Sequence, residues 1–327
     1  MKKTIIISSI ILVIAIVLFA VSVPITGVRE GTLSLSIGGG NIFGGKAMAA
    51  GEVAEYSFPE NINNIEVATA SADTKITLAD ISEAKVTYKT ETGGLSFKAF
   101  MDGDTLRVEE TGGFLFLFHI SGESDAELEI TLPKKEYNDV EIVTASGNTD
   151  IDQLICDEFN SVVTSGNSEY DIFARDIDIY TTSGSVNVRN CTDRIAEKLT
   201  LSSTSGVHSV KGFKTSEYEF VTTSGVISAD ELSGRGQVNL VSGEIYLTFA
   251  EWNGDIEVDG VSGSLDMKLP ENSGVAVNLD AVSGGVRVAL GENNTYFSGE
   301  SNTGNIGGEN SHVLDVDLVS GEVYVHD

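Results

Sequence analysis

The sequence predicts an all-β protein, a single-domain parallel β-solenoid or β-helix whose coils are about 20 residues long. Three observations predict this class: a Ser-Gly pair recurs, apolar and polar residues alternate around it, and helix signals are nearly absent. The intervals are 17 to 22 residues when Thr303-Gly304 is counted as one of the pairs. The other pairs begin at Ser146, Ser165, Ser183, Ser205, Ser224, Ser242, Ser262, Ser283 and Ser320.

Each Ser-Gly pair lies between two alternating segments. Leu318 and Val316 precede Ser320 by two and four residues, whereas Val323 and Val325 follow it by three and five. Period two predicts strands with one buried face. Because the alternation shifts by one residue at the pair, the pair predicts a corner, with conformational freedom from glycine and a local hydrogen bond from serine. Successive coils are expected to stack in parallel.

Two segments interrupt the repeats. Ser71-Ala72 resembles a first corner, but the next corner comes only at Ser146. Between them, alternating stretches and the Asp102-Gly103 turn predict an antiparallel hairpin insertion at residues 80–138. This insertion is expected to cap the amino-terminal end of the solenoid, where open strand edges would otherwise be exposed. Residues 291–310, rich in Asn and Gly, predict a mobile polar loop between coils.

The amino terminus predicts a transmembrane helix. Lys2 and Lys3 precede an apolar stretch without charges at residues 4–24, which is long enough to cross a bilayer. Basic residues before the span predict that the remainder is exported. The alternative is a signal peptide cleaved near Ala20-Val21-Ser22. We therefore expect a single-pass cell-membrane protein whose C-terminal region is extracytoplasmic.

The predicted domain organisation follows from these segments. Residues 1–3 are a cytoplasmic stub and residues 4–24 the anchor or signal peptide. Residues 25–51 are a glycine-rich linker, and residues 52–327 form the solenoid with its insertion.

The charge balance restricts the partners. Lys and Arg total 20 against 49 Asp and Glu, a net charge of −29. Nucleic acid is excluded, because binding a polyphosphate requires basic side chains. An acidic surface suits cationic peptides or cationic envelope polymers, or serves only solubility. Self-association is a further possibility for an open stack of coils.

The sequence contains few groups suited to catalysis or metal binding. It has two cysteines, four histidines and no zinc-binding pattern, so we predict no metal and no cofactor. Cys156 and Cys191 are separated by a complete repeat, which exceeds the ~7 Å limit between bridgeable α-carbons and predicts two free thiols. No carboxylate pair or Ser-His-Asp order stands out. The protein is expected not to be an enzyme, with a carbohydrate-active enzyme as the alternative.

An apolar run is the first candidate contact site. It lies in the predicted insertion and consists of Phe114, Leu115, Phe116, Leu117 and Phe118. As an exposed tip it would contact a membrane or a partner. Packing within the cap is the alternative, since exposed apolar runs are uncommon.

Three aspartates suggest a second candidate. Asp259, Asp280 and Asp317 each lie three residues before their serine, so they would project outward as an acidic ladder. Stacked carboxylates repel each other, and Ca²⁺ or a cationic ligand would reduce the repulsion. Neighbouring repeats carry Asn239, Val221 and Tyr180 at this position, so the ladder is expected to be interrupted, without a defined metal site.

The repeats resemble the bacterial DUF4097 family of adhesin-like domains. The strings TTSGSVNV, TTSGVIS, VSGEIYL and VSGEVYV carry the resemblance, together with AELEITLPKK at residues 126–135. The resemblance runs from about residue 60 to residue 327. It implies a β-solenoid in the cell envelope, often behind a membrane anchor, with a role in adhesion or envelope-stress sensing. It implies no catalytic residues, and the sequence shows no wall-sorting tail.

These observations give one main hypothesis and two alternatives. The main hypothesis is a membrane-anchored, non-catalytic binding, adhesion or stress-sensing module. A structural spacer or self-assembling scaffold is the first alternative, and a polysaccharide-active enzyme is the second.

Overall fold

The computed structural model describes residues 28–29, 32–33, 46–59, 61–91, 95–111, 126–300, 302–307 and 311–327. Within these ranges every regular element is a strand, so the predicted all-β class is confirmed. None of the described residues belongs to a helix with the length and hydropathy needed to span a bilayer. The predicted anchor at residues 4–24 and the apolar run at residues 114–118 lie outside the described residues.

The strands fall into three groups along the chain. The amino-terminal strands are β1 (Val28–Arg29), β2 (Thr32–Leu33), β3 (Lys46–Ala47), β4 (Val53–Phe58), β5 (Asn64–Thr69), β6 (Asp73–Ala79), β7 (Ala84–Thr90), β8 (Ser96–Asp102), β9 (Thr105–Thr111) and β10 (Ala126–Pro133). The central strands are β11 (Tyr137–Thr144), β12 (Thr149–Val163), β13 (Asn167–Thr181), β14 (Ser185–Asn190), β15 (Ala196–Ser203), β16 (Val207–Lys211), β17 (Lys214–Thr222), β18 (Val226–Leu240), β19 (Glu244–Phe249), β20 (Ile256–Gly260) and β21 (Ser264–Lys268). The carboxy-terminal strands are β22 (Gly274–Ala281), β23 (Gly285–Leu290), β24 (Asn293–Ser298), β25 (Asn302–Gly307), β26 (Ser311–Leu318) and β27 (Glu322–His326).

The central strands form solenoid-like coils that pair in parallel. Ile179, Leu201 and Phe220, for example, are direct partners in three consecutive coils, and all three are fully buried. Each coil contributes one strand segment before its Ser-Gly corner and one after it. We call the resulting surfaces the pre-corner face, which includes β15, β17 and β20, and the post-corner face, which includes β14, β16, β19 and β21. The inward side chains of both faces form one continuous apolar core.

The Ser-Gly corners are stacked directly on one another. Gly166, Gly184 and Gly206 have φ between 103° and 114°, and a Cβ on any of them would overlap the carbonyl oxygen of the preceding corner glycine. Only glycine avoids both the strained φ and this overlap. The serine hydrogen bond is not local, as the sequence suggested, but links coils: Ser205 Oγ donates to the Thr182 carbonyl at 3.0 Å and Ser242 Oγ to the Thr223 carbonyl at 3.1 Å.

The amino-terminal end is covered by the strands between β6 and β11. β9 and β10 extend the stack in parallel, beside β5 and β6 respectively. The antiparallel pairs lie further out, where β8 joins β9 through the predicted Asp102-Gly103 turn and β7 joins β10. β3 and β4 then pair with β8 and β7. The cap therefore begins as a further coil and becomes antiparallel only in its outer strands.

The carboxy-terminal coils do not stack in sequence order. β26 lies between β20 and β22, and β27 lies between β21 and β23. The corner glycines stack in the same order, Gly263, Gly321 and Gly284. A Cβ on Gly321 would contact the carbonyl oxygen of Gly263, and a Cβ on Gly284 would overlap the carbonyl oxygen of Gly321. The last coil along the chain is thus inserted between two coils that precede it.

Two predictions for residues 291–310 are wrong. Instead of a loop between coils, most of this segment forms β24 and β25, which pair antiparallel with β23 and β22, respectively, at the end of the stack. Thr303-Gly304 is no corner, because it lies within β25 opposite Val277 and Asn278. Gly304 instead makes room for the ring of Phe297, which a Cβ would overlap.

Candidate functional site

The three aspartates of the predicted acidic ladder are direct neighbours. Asp317 of β26 is the register partner of both Asp259 of β20 and Asp280 of β22. On the other side of Asp259 the ladder ends at Asn239, which is followed by Val221, so the expected interruption is present. The sequence could not show that the inserted β26 places Asp317 between the other two aspartates. Neighbouring strands lie ~4.8 Å apart, so the three carboxylates form one unbroken row, which we call the acidic row.

A second row of acidic residues runs beside the first. Glu257 of β20 and Asp315 of β26 are partners two residues before Asp259 and Asp317. Burial, reinforced by the charges of Glu257, Asp317 and Asp315, raises the pKa of Asp259 to about 6. The site therefore favours a proton or another positive charge close to Asp259.

These carboxylates border a groove on the pre-corner face. The groove has a volume of about 1080 Å³. Its acidic lining residues are Glu217, Glu251, Asp255, Glu257 and Asp315. Its basic lining residues are Lys214, Arg235 and His312. The carboxylates outnumber the permanent cations, so the groove has a negative net charge.

The basic residues of the groove already contact acids. Arg235 Nη2 lies 2.7 Å from Glu217 Oε2, and Lys214 Nζ lies 3.6 Å from Glu251 Oε1. Glu257 accepts a hydrogen bond of 3.1 Å from the Gln237 amide. Salt bridges at such exposed positions contribute little to stability, and their carboxylates can still attract a cationic ligand.

No metal-binding arrangement occurs among the described residues. Within the described ranges, no group of three or more His, Cys, Asp or Glu side chains is placed to hold an ion. Cys156 is buried and Cys191 half-buried, and both thiols are free. Burial raises the pKa of the Cys191 thiol to about 11 and that of Cys156 further, so neither thiolate forms readily at neutral pH.

A family model identifies the domain. The model of the Toastrack DUF4097 family matches residues 62–326. The chain belongs to the DUF4097 family. The resemblance noted in the corner strings is thereby confirmed. No protein of curated function matches the chain.

Several solved structures are similar to this DUF4097 domain, at low sequence identity. A putative adhesin from Bacteroides fragilis is 11% identical, with 84% of this chain and 97% of that chain covered and a TM-score of 0.37. A putative adhesin from Parabacteroides distasonis is 11% identical, with coverage of 84% and 97% and a TM-score of 0.38. A putative cell adhesion protein from Clostridium sporogenes is 12% identical, with coverage of 84% and 99% and a TM-score of 0.21.

The groove of this DUF4097 domain was not predicted from sequence. Its charged residues occupy outward positions of several coils, and alternation alone does show that they face outward. It does not show that the surface is concave there. The contribution of Asp315 was also hidden, because it depends on the insertion of β26.

Proposed function

We propose that this DUF4097 protein is a membrane-anchored, extracytoplasmic, non-catalytic binding module of the adhesion or stress-sensing type, and that its partner is cationic. The observation that carries the proposal is the acidic groove, about 1080 Å³ in volume, with the acidic row beside it. The net charge of −29 supports it, because a negative field accelerates encounters with a positive partner. The proposed envelope location rests on the predicted anchor at residues 4–24.

The shape of the groove suits an extended cationic chain. The groove crosses strands from several coils, and two of its carboxylates, Glu257 and Asp315, are register partners on neighbouring strands ~4.8 Å apart. A basic peptide or a cationic envelope polymer could pair with several of them at once. Each such pair is worth about 1 kcal/mol in water and more where it is partly buried. Binding should weaken as salt rises, because exposed pairs are screened.

The predicted anchor gives this module its location. Residues 4–24 are long enough to cross a bilayer, and the glycine-rich linker at residues 25–51 would hold the stack away from the membrane. β3 lies within the last residues of this predicted linker and pairs with β8 of the cap. The apolar run at residues 114–118 falls between β9 and β10 of the same cap, and we propose it as an additional membrane or partner contact.

We favour a binding module over a self-assembling scaffold. A scaffold that grows by stacking needs an open parallel edge at the end of the stack. Here β24 and β25, of six residues each, pair antiparallel at the carboxy-terminal end. β25 also includes Gly304 and Gly307, and glycine weakens strand pairing.

The proposal is tested by measuring peptide binding to the full chain in nanodiscs of neutral lipid. The probe is an oligolysine peptide, titrated at several salt concentrations. The variant Glu251→Gln/Glu257→Gln/Asp315→Asn removes three groove charges, and Asp150→Asn/Glu169→Gln/Asp171→Asn removes three on the post-corner face. The groove variant should weaken binding about tenfold or more, whereas the control should change it little. Equal losses in both variants would show a non-specific charge effect and contradict the proposed site.

A further inference from the structure

Exposed tyrosines occupy alternate strands at the carboxy-terminal end of the post-corner face. Across β19, β21, β27, β23 and β24, the register partners are Tyr246, Asp266, Tyr324, Arg287 and Tyr296. The tyrosines are 43%, 37% and 54% exposed, respectively. Large aromatic side chains are normally covered, so three at regular intervals on one surface call for an explanation.

A pocket lies between two of these tyrosines. It has a volume of about 570 Å³, within the usual range for small-ligand sites, and both Tyr324 and Tyr296 line it. Arg287, Asn294 and Glu322 supply polar groups to the same pocket. Gly285 makes room for the Tyr296 side chain in the pocket wall, because a Cβ there would lie 2.9 Å from the Tyr296 hydroxyl and overlap the Phe297 carbonyl oxygen.

The pocket walls are held in place before any ligand arrives. The Tyr324 ring stacks on His326 with a centroid distance of 5.0 Å, and His326 Nε2 lies 3.0 Å from Asp266 Oδ1. The Arg287 guanidinium lies 5.8 Å from the centre of the Tyr324 ring, and its Nε donates to Asn294 Oδ1 at 3.2 Å. Binding to such a surface loses little side-chain entropy.

We propose that this tyrosine pocket binds a neutral linear polysaccharide, with one sugar ring packed across Tyr324, Arg287 and Tyr296 and the chain continuing towards Tyr246. A pyranose ring has an apolar C–H face that packs against an aromatic ring, and a rim of hydroxyls that hydrogen-bond to amide, carboxylate and guanidinium groups. The pocket presents both kinds of surface. Alternate strands are roughly 10 Å apart, so successive tyrosines lie about two sugar rings from each other along a chain that crosses the coils.

The charges around the pocket select a neutral chain. Glu244, Asp266 and Glu322 lie on the same outward surface and disfavour anionic polysaccharides. Arg287 lies in the middle of the row, between Tyr324 and Tyr296, so a cationic group that entered the pocket itself would meet a like charge there. The tyrosine pocket and the acidic groove therefore lie on different faces and suit different ligand classes.

The test uses the full chain in neutral nanodiscs with oligomers of β-linked glucose and of β-linked N-acetylglucosamine, measured by calorimetry. An anionic alginate oligomer and oligolysine serve as comparison ligands. Tyr324→Ala and Tyr296→Ala should each weaken binding of a neutral oligomer about tenfold or more, because each loses a stacking surface. Tyr324→Phe keeps that surface and should retain most of the affinity. Val207→Ala, an exposed residue of the same face outside the pocket, should have no effect.

Two further measurements make the outcome decisive. Circular dichroism of every variant establishes that it is folded. The variant Asn294→Ala removes a polar contact while leaving both tyrosines in place, and it should weaken neutral-oligomer binding severalfold. Binding should change little with salt, unlike binding at the acidic groove. The inference is overturned if no neutral oligomer binds, if both alanine variants bind normally, or if oligolysine is the ligand lost on Tyr324→Ala.

Discussion

Glu110 completes the first corner, and its substitution should destabilise the cap end of the stack. In later corners the backbone N–H groups donate to carbonyls of the preceding coil, as Ser165 N does to the Ala145 carbonyl. At the first corner, the N–H groups of Ala70, Ser71 and Ala72 instead donate to Oε2 of Glu110, at 2.9, 2.8 and 3.0 Å. Glu110 projects from β9 and is 3% exposed.

The expected loss follows from these contacts. Oε1 of Glu110 also accepts hydrogen bonds from the Tyr88 hydroxyl at 2.9 Å and the Ser71 hydroxyl at 3.3 Å. Glu110→Ala leaves all these donors without their acceptor, at about 1–3 kcal/mol for each group that water cannot reach. Ala72 is fully buried, whereas Ala70 and Ser71 are half-buried, so we expect a total loss of about 3–5 kcal/mol.

Glu110→Gln should cost less, about 1–2 kcal/mol of unfolding free energy. The amide oxygen of the glutamine can accept hydrogen bonds from the corner N–H groups, and the Tyr88 and Ser71 hydroxyls can reorient to accept hydrogen bonds from its amide nitrogen. The matched control is Glu109→Ala, which removes a neighbouring residue with a partly exposed salt bridge to Lys98 and should cost at most about 1 kcal/mol.

The assay is urea unfolding of residues 46–327, followed by circular dichroism and by exchange of the Ala72 amide hydrogen. Exchange is needed because stacked coils can open locally at one end. Glu110→Ala should lower the unfolding midpoint and accelerate exchange at Ala72 more than either other variant. If Glu110→Ala and Glu109→Ala agree within about 0.5 kcal/mol, the corner does not depend on the carboxylate and the reasoning is refuted.

Three further predictions concern other parts of the stack. Burial lowers the pKa of His208 to about 4, so the unfolded chain binds a proton at a higher pH than the folded chain does. The free energy of unfolding should therefore fall by about 3 kcal/mol from pH 6.5 to 4. His208→Val, which places a valine beside its register partner Val186, should flatten this pH dependence in urea titrations. The pKa of Asp259 is raised to about 6, so its ionisation above that pH destabilises the native state. Asp259→Asn removes this charge, so it should raise the melting temperature at pH 8, where Asp259 is ionised, and not at pH 4, where Asp259 is protonated. Gly184→Ala should cost about 3 kcal/mol or more in urea unfolding, against about 1 kcal/mol for Gly291→Ala, whose φ is also positive but whose Cβ would meet nothing.

Each of these predictions can be contradicted. An unchanged pH dependence in His208→Val would mean that another group titrates. A constant effect of Asp259→Asn at both pH values would mean that ionisation is not its cause. Equal costs for the two glycine variants would show that the stacking of corners adds nothing to the strain in φ.

The sequence predicted the class and the corners because both arise from local alternation. Inward positions such as Val316, Leu318 and Val323 are buried as the period-two pattern requires. The return bend of each coil gave no such signal. In β12 and β18 it contains Gln153 and Glu231 with positive φ, and neither residue type marks a turn of this kind as glycine would.

The remaining differences come from contacts distant in sequence. A pattern of alternation states which residues face inward, but not which coil lies next to which. The sequence therefore placed Thr303-Gly304 in the repeat and missed that Asp317 lies between Asp259 and Asp280. The buried role of Glu110 was hidden for the same reason, since its partners at the first corner lie about 40 residues earlier in the chain.

The inserted coil also orders the events of folding. Coils of the central stack can assemble one after another as the chain emerges, since each pairs with the coil before it. Residues 274–290 cannot dock in this way, because their neighbours β26 and β27 are synthesised later. They can join the stack only after residues 311–326 have been synthesised and β26 and β27 have paired with β20 and β21. A chain that ended before residue 311 would lack β26 and β27, and β22 and β23 would then have no parallel partner strands.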